Sequence, residues 1–260
     1  MRKIKNDYGK IGERDENGFW KIDKLNRIPK INVPADIEKL PWCNKKEKEK
    51  GMEYLSRLLK PKLEWGVLNN EMPKQSNIWY QMNVMCMAND PEGWVDYYTY
   101  YEKLTSLVTG LDGNDGIMQV TTSKKGIDAS DKRDDPDVRR KVGNALLIVL
   151  AVTTELDDQY MLRMMLSTST ETTPDENGSY LMSGERVAML HRPESSVWSD
   201  EERLVLQFTY AVMREEMTDD IWKRAEAAWG MKEPLRYIAW IGQYIYMNLF
   251  MAAMYRRQIW

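Results

Sequence analysis

The sequence is poor in the residues that most redox and metal chemistry requires. Among 260 residues it has two cysteines, Cys43 and Cys86, and a single histidine, His191. The cysteines are far apart and lack Cys-x-x-Cys spacing, so neither a disulfide framework nor a zinc site is indicated, and a reducing, cytoplasmic location is expected. One histidine excludes a His-rich transition-metal site, and no local motif supports an all-carboxylate site. We therefore expect no metal and no cofactor.

Long uninterrupted apolar segments are also missing. The N-terminus carries charges without the apolar core of a signal peptide. The most apolar long segment, Leu235 to Met254, is interrupted by Arg236, Gln243 and Asn248, so it predicts a buried core helix in a soluble protein and no membrane partner. No stretch alternates polar and apolar residues for long enough to require a sheet, and the sequence predicts an all-α fold.

Net charge is low, but it is unevenly distributed. The formal charge of -3 gives no general attraction to nucleic acid or to an anionic membrane. Residues 1–62 nevertheless carry 17 Lys and Arg against 10 Asp and Glu, so the remainder of the chain is acidic. Such a basic segment could wrap its own acidic body or a neighbouring subunit, or it could be a solvated surface.

Apolar content is high enough for a sizeable core, since 43% of the residues are hydrophobic and there are ten Trp and fourteen Tyr. Residues 1–42 contain several prolines without sustained periodicity, which predicts an extended arm. Asn44 and Glu47 have capping-box spacing before a short amphipathic helix. We expect residues 1–75 to form this arm and short helix.

Residues 76–260 are predicted to form a helical domain with a long loop inserted at 110–136, where Gly, Asp, Ser and Lys are frequent. Asp90 and Pro91 mark the start of one helix. Apolar and aromatic residues follow at helical spacing, and such a stripe is usually a packing face, with ligand stacking, including by Tyr97, as the alternative. The stripe comprises Trp94, Tyr97, Tyr98, Tyr101, Leu104 and Val108.

The C-terminal third has clear helix start and stop signals. Ser199 with Glu202 predicts a capping box, and Thr218 predicts a second N-cap. Gly230 is a natural helix end, and Pro234 is expected to open the last long helix. Its small residues, including Gly242, would allow another helix to approach closely.

These helices resemble a known family. The segment from Trp198-Ser-Asp-Glu-Glu-Arg-Leu204 to Asn248-Leu-Phe250 resembles the C-terminal half of the carboxymuconolactone decarboxylase-like proteins, which include the alkyl hydroperoxidase D-like reductases. Asn144-Ala-Leu-Leu-Ile-Val-Leu-Ala-Val152 is similar to their central buried helix, and Asp158-Gln-Tyr160 to the start of their active-site helix. The resemblance covers roughly residues 76–255 and implies a helical bundle that assembles through its helical faces.

The family's usual chemistry is absent. Members commonly continue from this Tyr as Tyr-Glu-Trp-x-x-His, or carry a Cys-x-x-Cys pair with a nearby His. This chain instead has Met161 and Met165 at the two acid–base positions and no cysteine after Cys86. These methionines could line an apolar substrate cavity, or they could fill the vacated space as solid core.

Three polar residues are the best candidates for catalysis. Tyr160 and Arg163 are one helical turn apart and could present a phenol and a cation to one cavity. Alternatively, Arg163 could be paired with a nearby acid such as Glu155 or Asp157. His191 is the default proton carrier because of its pKa, although a lone loop histidine is more often structural.

Two functions remain open from the sequence. The first is a cofactor-independent lyase, cyclase or hydrolase acting on a small-to-medium apolar carbonyl compound. In that case Tyr160, Arg163 and His191 would be catalytic, and Met161, Met165, Trp198 and Tyr97 would contact the substrate. The second is a catalytically inactive family member that serves as a structural or ligand-binding subunit. Both predict a homo-oligomer and a small-molecule ligand.

Overall fold

The computed structural model describes residues 34–53, 90–111, 135–156 and 184–254. Within these ranges every regular element is helical, which confirms the predicted all-α helical bundle. The predicted boundary near residue 75 lies outside them.

The described residues belong to two compact units, which are taken separately. The first contains residues 34–53, 90–97 and 254, and the second contains residues 98–111, 135–156 and 184–253.

The first unit consists of short helical pieces packed closely together. It has a 3-10 helix over Pro34–Lys39 and helical residues at 45–53. The predicted capping box is confirmed, because the Asn44 side chain accepts from the Glu47 amide at 3.0 Å and the Glu47 carboxylate accepts from the Asn44 amide at 2.8 Å. A Cβ at Gly51 would lie 3.0 Å from the Pro91 ring, so a larger residue there would push that ring away by a few tenths of an ångström.

The rest of the described chain contains six helices and the turns that join some of them. They are α1 (Pro91–Thr109), α2 (Pro136–Glu155), α3 (Gly184–Ala188), α4 (Asp200–Arg214), α5 (Asp219–Trp229) and α6 (Lys232–Met254). The first turns of α1 belong to the first unit, and α2 packs against α4, which in turn packs against α5.

Helix α1 begins and ends where the sequence predicts. The Asp90 carboxylate accepts a hydrogen bond from the Gly93 amide at 3.1 Å, and the chain leaves the helix at Gly110, which has a φ of +76°. Within the second unit the aromatic stripe is a packing face: Tyr101 is buried and stacks on the Trp240 ring of α6 at 5.8 Å.

Helix α2 is the centre of the bundle. Asp135 caps it and Pro136 is its first residue, so it starts nine residues before the apolar run, Ala145 to Val152, that predicted it. Every residue from Ala145 to Val152 is buried, which confirms a helix covered on most sides. Inside this run the Ala145 carbonyl accepts a hydrogen bond from the Trp240 indole at 3.1 Å.

The predicted signals also set the ends of α4 and α5. Ser199 and Glu202 form the capping box at the start of α4, and the Thr218 hydroxyl accepts from the Ile221 amide at the start of α5. Helix α5 ends at Gly230, whose φ is +71°. Because these signals act within a few residues of the chain, the sequence alone defines them well.

Helix α6 differs from its prediction in two ways. It begins at Lys232, two residues before Pro234. It was also predicted to be a buried core helix, which is wrong for one of its faces. Trp240, Tyr237 and Tyr244 are buried on the inner face, whereas apolar residues on the opposite face are exposed. The sequence could not separate the faces because both are apolar.

Candidate functional site

Four of the predicted site residues belong to the proposed active-site helix. Tyr160, Met161, Arg163 and Met165 all lie in residues 157–183, outside the described ranges. The predicted site residues within those ranges are His191, Trp198 and Tyr97.

His191 and Trp198 lie in the turns between α3 and α4. His191 is exposed. Trp198 is buried, and its indole N–H donates to the carbonyls of Arg192 at 3.1 Å and Met189 at 3.3 Å. The Arg186 guanidinium covers the indole ring at 4.8 Å from its centroid. Trp198 therefore fastens the turns that precede α4.

Tyr97 lies in the first unit, on the second turn of α1. It is half-buried and meets the Trp94 ring edge-on, with centroids 5.1 Å apart. This contact is the packing geometry that aromatic pairs prefer.

Glu155, one of the acids considered as a partner for Arg163, is already engaged. Arg214 donates to both of its carboxylate oxygens, at 2.8 and 2.7 Å, and these hydrogen bonds hold the pKa of Glu155 below its ordinary value. The same guanidinium covers the ring of Tyr210, whose hydroxyl donates to the Leu190 carbonyl at 2.6 Å. The ends of α2 and α4 are thereby joined to the turn that follows α3.

A larger polar cluster, which sequence reasoning missed, joins α2, α4, α5 and α6. At its centre the guanidinium of Arg140 donates to Glu201 at 3.1 Å and to both carboxylate oxygens of Glu233 at 3.1 and 3.2 Å. Burial alone lowers the pKa of Arg140, but the hydrogen bonds that Arg140 donates to Glu233, Asp137 and Glu201 outweigh it and raise that pKa above its ordinary value. Arg140 is therefore always a cation here.

Neutral donors complete the cluster. One oxygen of Glu201 also accepts from the Asn144 amide at 2.9 Å and from the Trp229 indole at 3.2 Å. The Asn144 amide reaches the Tyr237 hydroxyl at 3.2 Å. We call these residues the polar clamp: Arg140, Asn144, Glu201, Trp229, Glu233 and Tyr237.

The hydrogen bonds of the polar clamp hold helices together. Burial raises the pKa of the Tyr237 hydroxyl, so the phenol remains protonated near neutrality and serves as a hydrogen-bonding group, not as a base. Both carboxylates face donors from other helices. A polar Asn144 directly before eight apolar residues was the one sequence signal for this cluster, since buried polar groups need partners.

In the described ranges, no group of three or more His, Cys, Asp or Glu side chains is placed to hold a metal ion. Likewise, no described helix has the length and hydropathy needed to cross a membrane.

The remaining unusual feature is an apolar stripe on the outside of α6. We call it the outer face and define it by Leu235, Ile238, Gly242, Tyr246 and Leu249, all of which are exposed. Leu249 is 62% exposed and Leu235 is 54% exposed. From Tyr237 to the end of the helix there is no charged residue, and the Tyr246 hydroxyl is the one polar side-chain group among the five residues of this face.

The chain matches no family model, no curated protein and no solved structure.

Proposed function

We propose that this chain is a non-catalytic, divergent member of the carboxymuconolactone decarboxylase-like group that acts as a subunit of a homo-oligomer. The observation that carries the proposal is the outer face of α6. Three large aliphatic side chains, Leu235, Ile238 and Leu249, point to solvent on one uncharged helical stripe. Burying such side chains against another chain would remove them from water, which favours association.

The polar groups of the described core support a structural role. In the polar clamp, the side-chain donors form hydrogen bonds with the carboxylates of Glu201 and Glu233. Arg214 likewise donates to the carboxylate of Glu155. A catalytic acid or base needs access to a substrate atom and a pKa suited to proton transfer. These side chains instead connect helices, and the family's acid–base positions hold Met161 and Met165.

Sedimentation velocity of the full chain over a range of concentrations tests this function. A homo-oligomeric subunit should increase in mass as its concentration rises through the micromolar range, without added ligand or metal. A mass equal to that of one chain at every concentration would contradict the proposal.

One observation favours an enzyme as the second candidate. Because Arg214 occupies both oxygens of Glu155, one of the two acids considered for Arg163 already has a cation. Arg163 would then be available to Tyr160 and to a small apolar carbonyl substrate, with His191 as the proton carrier of a cofactor-independent lyase, cyclase or hydrolase.

Mass spectrometry of small molecules that co-purify with the protein tests this candidate. The enzyme proposal expects a bound carbonyl compound that Arg163→Met loses while the thermal midpoint stays nearly constant. Arg224→Met, which removes a cation from exposed α5, serves as the control. If Arg163→Met lowers the midpoint and leaves the bound compound in place, the candidate fails.

A further inference from the structure

We draw no further inference here: the strongest candidate, the apolar outer face of α6 from Leu235 to Leu249, belongs to the function already proposed, and nothing in the described ranges shows what covers it.

Discussion

At the scale of single residues, Arg140 has the most consequential set of contacts. Arg140→Met should lower the free energy of unfolding by about 2 to 4 kcal/mol, because it leaves largely buried Glu233 without its main partner. Arg224→Met, which removes an exposed pair with Asp220, should cost less than about 1 kcal/mol. Urea denaturation of both variants measures the difference. Equal losses would show that the polar clamp adds nothing beyond a surface ion pair.

The pair formed by Arg214 and Glu155 makes stability depend on pH. The pKa of Glu155 is lowered in the folded protein by hydrogen bonds from Arg214. A lowered folded pKa stabilises the protein above the ordinary glutamate pKa, and that contribution is lost as the pH falls through the folded value. Glu155→Gln should therefore flatten the loss of stability below about pH 4.5. Denaturation curves at several acidic pH values check this, and parallel pH profiles for the two proteins would contradict it.

Trp198 distinguishes a structural role from a substrate-binding role. Trp198→Phe keeps a ring in the core but removes the indole N–H that donates to two turn carbonyls. We expect a loss of about 0.5 to 1.5 kcal/mol in the free energy of unfolding, because the indole hydrogen bonds are lost while each carbonyl keeps a backbone donor. His191→Gln, at an exposed position in the same turns, should change stability by less than about 0.5 kcal/mol. If Trp198→Phe leaves stability unchanged, these hydrogen bonds do not fasten the turns.

At the scale of elements, the capping box of α4 should matter more than the single cap of α5. Ser199→Ala should cost about 1 to 2 kcal/mol, because Ser199 and Glu202 satisfy each other's amides and Glu202 also holds Arg186 against Trp198. Thr218→Ala removes only one hydrogen bond and should cost about 1 kcal/mol or less. Thermal denaturation ranks the two variants, and a reversed order would contradict this account.

The same elements show how far the sequence alone could predict the fold. Helix ends were predictable at Asn44, Asp90, Ser199 and Gly230, because a cap depends on residues a few positions apart. The burial of Ala145–Val152 was predictable from its continuous apolar run. The exposed side of α6 was not, because apolar residues surround that helix and only packing decides which side is covered.

The candidate site was less predictable than the fold. Arg140 meets Glu201 and Glu233 across 61 and 93 residues of sequence, and no local spacing reveals such a contact. Hydrogen bonds between polar residues that are far apart in the sequence become visible only in the folded chain. The outer face had a partial signal, since Gly242 was predicted to allow close approach of another helix.

At the scale of the whole molecule, the described core is held together by contacts within the chain, whereas the outer face of α6 is apolar and exposed. The polar clamp joins α4, α5 and α6 to one another and to α2, and aromatic contacts fix α6 to α1. The outer face of α6, in contrast, is an uncharged stripe with exposed aliphatic residues. Assembly would bury that stripe, as the proposed homo-oligomer requires.

Sedimentation equilibrium of three full-length proteins tests this central claim most directly: the parent chain, Leu249→Glu, and Ala228→Glu. Leu249→Glu places a charge on the outer face, whereas Ala228→Glu adds the same charge at an exposed position of α5. We predict that the parent and Ala228→Glu dimerise in the micromolar range and that Leu249→Glu remains a monomer with a similar thermal midpoint. Association of Leu249→Glu as tight as that of the parent, or a parent protein that is monomeric throughout, would contradict assembly through α6.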